Sequence, residues 1–162
     1  MFEINDVVVH YRDGLAKITG VTEMNGNEFF VLMAKRGDGT TFYVPKANAS
    51  KTIRPIMDIE NADGILAYMS ALEVEFNPNT KQRRDDFKRR IASGNILDVA
   101  YLVKQLYLYN HTEELPPKVK FGPVDFNILN EAKNLLFDEL SVIYHVDEEK
   151  LPQFIEERIK NI

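Results

Sequence analysis

His10, His111 and His145 are the side chains best suited to proton transfer near neutral pH, but they stand far apart and lack metal-ligand spacing. Asp85-Asp86 and Glu148-Glu149 are adjacent carboxylate pairs. Neighbours on a helix point in different directions, so neither pair can share a proton across one substrate. The chain has no cysteine, which excludes a disulfide framework, a thiolate zinc site and a cysteine nucleophile. No Gly-rich phosphate loop, G-x-S-x-G elbow or H-E-x-x-H helix is present. A site assembled only by the fold would escape such a search and would need a pocket holding a base and its orienting partner. The expectation is therefore a protein that is not an enzyme, with no cofactor, no metal and no small-molecule substrate.

The remaining chemistry is electrostatic. The net charge of −5 is unpromising for a nucleic-acid binder, so its distribution matters more than its sum. Residues 61–80 carry three acidic and no basic side chains, 81–90 carry six basic and two acidic, and 91–162 carry seven basic and twelve acidic. The basic segment is KQRRDDFKRR. If it is helical, Asp85 can pair with Arg89 and Asp86 with Arg90 at the favourable i, i+4 spacing, while Phe87 and Ile91 anchor the helix. Lys81, Arg83, Arg84 and Lys88 are left without local acidic partners, with Lys81, Arg84 and Lys88 on one side. Two readings stay open: a solvated amphipathic face, or weak, salt-sensitive, sequence-blind contact with about four phosphates.

The elements that must carry these groups change character along the chain. Val7 to His10, Leu15 to Thr22, Phe29 to Ala34 and Thr40 to Val44 read as short strands separated by Asp13-Gly14, Asn25-Gly26 and Gly37-Asp38-Gly39. Pro45 ends the last by removing a ladder donor. Four or five such strands suggest a small, strongly bent sheet of the SH3 or Tudor type. Phe29, Phe30, Phe42 and Tyr43 alternate, so one of each pair must face away from the core, and an edge strand can accept a strand from a partner.

From about residue 58 the apolar period lengthens to that of helices. Five are expected: Asp58 to Val74, with Gly64 as a possible break; Thr80 to Ala92; Ile96 to Tyr109, capped by Asn95 with Asp98 and buried at the centre of the bundle; Asp125 to Tyr144 after a Pro-bearing loop, Leu115 to Pro123; and a last helix from Asp147, whose first turn Pro152 leaves open. The predicted fold class is α+β: a β module over residues 1–56 and an all-α bundle over 57–162. No segment approaches the roughly 18 apolar residues of a membrane span, and the N-terminus has no basic start followed by an apolar stretch. A soluble, cytoplasmic protein is expected.

The chain resembles the CarD/CdnL family of bacterial transcription regulators over essentially its whole length. The residues that carry the resemblance are Phe2 through Val9 with the following turn, Phe29-Phe30-Val31-Leu32, Val44-Pro45 with Asn48-Ala49, and Arg54-Pro55-Ile56. In the helical part they are Ala92-Ser93-Gly94-Asn95, Asp98-Val99-Ala100, Val103, Leu106-Tyr107-Leu108, Ala132-Lys133, Leu136 and Glu139-Leu140. Their order and spacing, rather than one motif, make the match.

The resemblance implies a Tudor-like domain that docks on the β subunit of RNA polymerase by strand addition, and a helical domain that contacts promoter DNA and stabilises the open complex. The implied polymerase-binding residues are Phe42, Tyr43, Val44 and Pro45, with Met24 of the preceding hairpin opposite Phe42 and Tyr43. The implied DNA-binding residues are Lys81, Arg83, Arg84, Lys88, Arg89 and Arg90. Two departures bear on this. The chain has no tryptophan, and Thr80 or Lys81 stands where some members place a wedge at the bubble edge, so the contact is expected to be electrostatic. Arginines that members can use toward polymerase are here Met24 and Tyr43, so the docking surface is expected to be more apolar. A competing reading is a protein-only adaptor whose basic helix is structural.

Overall fold

A computed structural model describes residues 1–111 and 120–161, so Leu115 to Val119 of the expected loop lie outside the described residues. The chain divides into two compact units, Met1–Met57 and Asp58–Ile162.

The first unit is a five-stranded antiparallel sheet: β1 (Val7–His10), β2 (Gly14–Met24), β3 (Asn27–Ala34), β4 (Thr41–Pro45) and β5 (Ile53–Pro55). The order in the sheet is β4-β3-β2-β1-β5. Asn25 and Gly26 link β2 to β3 with φ of 51° and 77°, the left-handed pair that matches the twist of a two-residue hairpin. Alternation places Val8, Ala16, Ile18, Phe30, Leu32 and Val44 on one face, where Ala49 and Ile53 complete a core edged by Phe2 and Phe42. A register shift between Ile18 and Gly20 inserts an extra residue and bends β2. Between β4 and β5 the chain winds through 3-10 turns, Lys46–Lys51. This is a Tudor-like β domain.

The second unit contains five α-helices among the described residues: α1 (Ile59–Ala71), α2 (Thr80–Ala92), α3 (Ile96–His111), α4 (Pro123–Tyr144) and α5 (Leu151–Lys160). Asp58 caps α1 by accepting from the Asn61 N–H at 2.8 Å, and Asn79 caps α2 by accepting from Gln82 at 3.0 Å. Gly64 does not divide α1, because the helix buries Ala62, Ile65, Leu66 and Met69 across it. Pro152 falls in the first turn of α5, where its missing N–H would have no helical partner. Asn95 caps α3 as expected, but Asp98 is drawn into other bonds. Asn95 accepts from Leu97, whereas the Asp98 carboxylate takes hydrogen bonds from Arg90 and Ser93. The core of this unit is built from Phe87, Val99, Ala100, Leu102, Leu129, Leu136 and Leu140, all at most 5% exposed. Among the described residues no helix is long and apolar enough to cross a membrane.

Candidate functional site

The edge strand β4 is defined by its register. Ala34 donates to the Thr40 carbonyl at 3.0 Å, and the pairing continues through Leu32 with Phe42 and Phe30 with Val44. In an antiparallel ladder, hydrogen-bonded and non-bonded pairs alternate. Phe42 and Val44 therefore spend their backbone groups on β3, while Thr41 and Tyr43 turn N–H and C=O toward the open edge. Pro45 adds a carbonyl and no donor. At the opposite edge β5 has three residues and ends in Pro55, a strand too short to template much pairing.

Side chains on β4 follow the same alternation. Tyr43 is 51% exposed, in a row with Val31 and Gly20, and Met33 next to it is also exposed. Phe42 points inward and meets the His10 ring at 5.0 Å. Burial pushes the His10 pKa below its ordinary value, against the opposing charge of Asp13. Its Nδ1 accepts the Asp13 N–H at 3.1 Å and so holds the β1–β2 turn.

Two expected features of this surface are corrected. Val44 is 2% exposed within the core, so it can offer a partner nothing through its side chain. Met24 pairs with Asn27 at the hairpin tip, whereas Tyr43 pairs with Val31. Met24 thus lies four residues along β2 from the Tyr43 row, about 13 Å at strand rise, and is not opposite Phe42 or Tyr43.

The basic helix α2 is divided by its packing. Arg83 is 2% exposed, which overturns its reading as an unpartnered cation. Its Nε and Nη2 donate to the two Asp125 oxygens at 3.1 Å each, Nη1 to the Asn77 carbonyl and Nη2 to the Lys120 carbonyl, both at 3.0 Å. The guanidinium lies over the Phe121 ring at 5.0 Å, and Phe121 itself stacks on Tyr109 and meets Phe87 edge-on. Asp125 also accepts the Gly122 N–H at 2.8 Å, closing the first turn of α4. Burial raises the Asp125 pKa, but the hydrogen bonds from Arg83 and Gly122 and the charges of Arg83 and Arg84 outweigh it and hold the carboxyl below its ordinary value.

Arg84 is half committed: its Nη2 is 3.7 Å from Asp125, and its Nε is buried without a hydrogen-bond partner. A Cβ on residue 122 would stand 3.1 Å from that Nη2, so glycine makes room for the arginine there. Arg90 bridges Asp86 at 2.9 Å and Asp98 at 2.8 Å with its guanidinium 3.9 Å from the Tyr101 ring centre. The expected Asp86–Arg90 pair forms, but Arg89 also pairs with Asp86, at i, i+3, in place of Asp85. Lys81 and Lys88 are exposed and make no ion pair among the described residues. Seven residues apart, they share one side of α2 about 10 Å along its axis.

The cationic surface left to a partner is Lys81, Lys88 and Arg89, with Arg84 at its margin. No local spacing marks the Arg83–Asp125 pair, because 42 residues separate its partners. The local hint is the place of Asp125 two residues after Pro123, where a carboxylate can close the first turn of a helix.

Residues 2–57 match the family model described as the CarD-like/TRCF RID domain, and residues 64–156 match that of the CarD C-terminal domain. RID domains are RNA-polymerase-interacting modules, and the CarD-like family consists of transcription factors that are not enzymes. With the C-terminal model alone covering more than half of its length, this chain belongs to the CarD family of transcription-associated, RNA-polymerase-interacting proteins.

Proposed function

We propose that this protein joins the β subunit of RNA polymerase to promoter DNA and thereby stabilises the open initiation complex. The observation that carries the polymerase half is the open edge of β4, where the outward N–H and C=O groups of Thr41 and Tyr43 adjoin an exposed aromatic side chain. Strand addition draws its affinity from such main-chain groups and its specificity from alternate side chains. The family's RID domains interact with the β subunit, and this edge is the part of the sheet best suited to do so. Phe42 supports the strand from beneath, and Tyr43 provides the contact.

The DNA half rests on Lys81, Lys88 and Arg89. Three exposed cations engage roughly three phosphates, giving a log–log salt slope of about −2.7 and no base readout. Contact of that strength holds DNA only when polymerase holds the protein nearby, which suits a bridging factor.

The test uses the full chain. Tyr43→Pro removes an outward N–H without removing a β3 bond, so it should abolish capture of the β subunit while the β unit stays folded. Lys81→Glu/Lys88→Glu/Arg89→Glu should leave that capture intact and abolish stabilisation of open promoter complexes. Retention of full open-complex lifetime by the triple variant would make the chain a protein-only adaptor.

A further inference from the structure

The helical unit forms a half-open cavity of about 580 Å³ between α1, α3, α4 and α5, within the range of roughly 300–1,000 Å³ that small-molecule sites occupy. Its apolar lining is Met69, Val103, Leu106, Phe137, Ile155 and Ile159. Lys104, Lys133 and Lys160 also line it. The single carboxylate on the lining, Glu156, already accepts the Tyr107 hydroxyl at 2.9 Å. Lys104 and Lys160 make no ion pair among the described residues, and Lys133 sits 5.9 Å from the Phe137 ring centre. The cavity is thus cationic in a unit whose acidic residues outnumber its basic ones.

We propose that this cavity binds an amphipathic carboxylate: a linear alkyl chain on the apolar lining with its anionic head among Lys104, Lys133 and Lys160. A polar anion would leave its other groups unsatisfied against Val103, Leu106 and Phe137. An alkyl chain needs only a narrow apolar slot, and lysines carry flexible stems that follow it to a charged head. The wall formed by α5 is tied to its neighbours by Arg158 to Asp63 of α1 at 2.7 Å, by Glu156 to Tyr107 of α3 and by the Phe154 ring against Tyr144 of α4, and an alkyl ligand would add apolar contact to it.

The probes are laurate, dodecanol and dodecyltrimethylammonium, which share one tail and differ in head charge. Each is titrated calorimetrically below its micellar concentration into the full chain. The expected result is one laurate per chain, bound on the order of tenfold more tightly than dodecanol, with the cation weakest, since three partly exposed charge pairs together give about that factor. Lys104→Gln/Lys133→Gln/Lys160→Gln should lower laurate to the dodecanol level, and Ile155→Trp should weaken both by filling the slot. Laurate binding that is unsaturable, that is no tighter than the alcohol, or that is unchanged in either variant overturns the proposal.

Discussion

Replacing Arg83 by glutamine should strongly destabilise the helical unit, so the variant reports on folding before it reports on DNA. The substitution removes both hydrogen bonds to Asp125, and those to the Asn77 and Lys120 carbonyls, from a site where Arg83 is 2% and Asp125 0% exposed. Removing one partner of a buried pair costs about 3–5 kcal/mol, because the remaining charge stays desolvated without compensation. For a unit of about 100 residues each kcal/mol lowers Tm by roughly 4 °C, so the loss should be about 12–20 °C. Lys88→Gln, on the exposed side of the same helix, should stay within about 0.5 kcal/mol of the parent. The readout is thermal unfolding of the full chain followed at 222 nm, where the helical unit dominates. A double-mutant cycle with Asp125→Asn completes the argument, since asparagine still accepts from the Gly122 N–H but carries no charge. Arg83→Gln/Asp125→Asn should be clearly less destabilised than the sum of the single variants. An Arg83→Gln protein that melts within about 1 kcal/mol of the parent, or strictly additive variants, would refute the reading of this pair as a strut.

Asp125, whose carboxyl is held below its ordinary value, contributes stability that is complete above about pH 4 and is lost as pH falls through the depressed value; Asp125→Asn should flatten the acid limb of the helical transition, and an unchanged limb would count against it. Asp63, lowered by its hydrogen bonds from Arg158 and Tyr144, has the same sign, so Arg158→Gln should shift acid unfolding to higher pH. For His10 the folded pKa lies below the ordinary 6.5, so the unfolded chain binds the proton more readily, and the β unit should weaken as pH falls from above 6.5; His10→Gln should remove that slope in equilibrium denaturation monitored by tyrosine fluorescence. Neutralising Lys81 and Lys88 as Lys81→Gln/Lys88→Gln should reduce the log–log salt slope of DNA binding by about 1.8, while an unchanged slope would remove these two residues from the interface.

The two kinds of surface differed in how much the sequence disclosed. The β unit was legible because its determinants are local: Asn25-Gly26 fixes a two-residue turn, alternation requires one of Phe29 and Phe30 to face outward, and Pro45 closes the strand. The span of α2 was legible for the same reason, bounded by Asn79 and Ser93-Gly94. Its partition was not. Helical spacing separated Arg89 and Arg90 from the four cations without local partners, yet one of those four, Arg83, is buried against Asp125, and Arg90 is shared between Asp86 and Asp98.

What the sequence determined by itself was composition and period: no cysteine chemistry, a sheet followed by helices, a basic segment in an acidic chain, and an ordered set of residues resembling one family. Tertiary structure alone decided which charges remain available and where the open strand edge faces. The physical reason is range. Turn preferences and amphipathic periods act within a few residues, whereas the desolvation of Arg83, its pairing 42 residues away and the outward turn of the Tyr43 backbone depend on partners that only folding brings together.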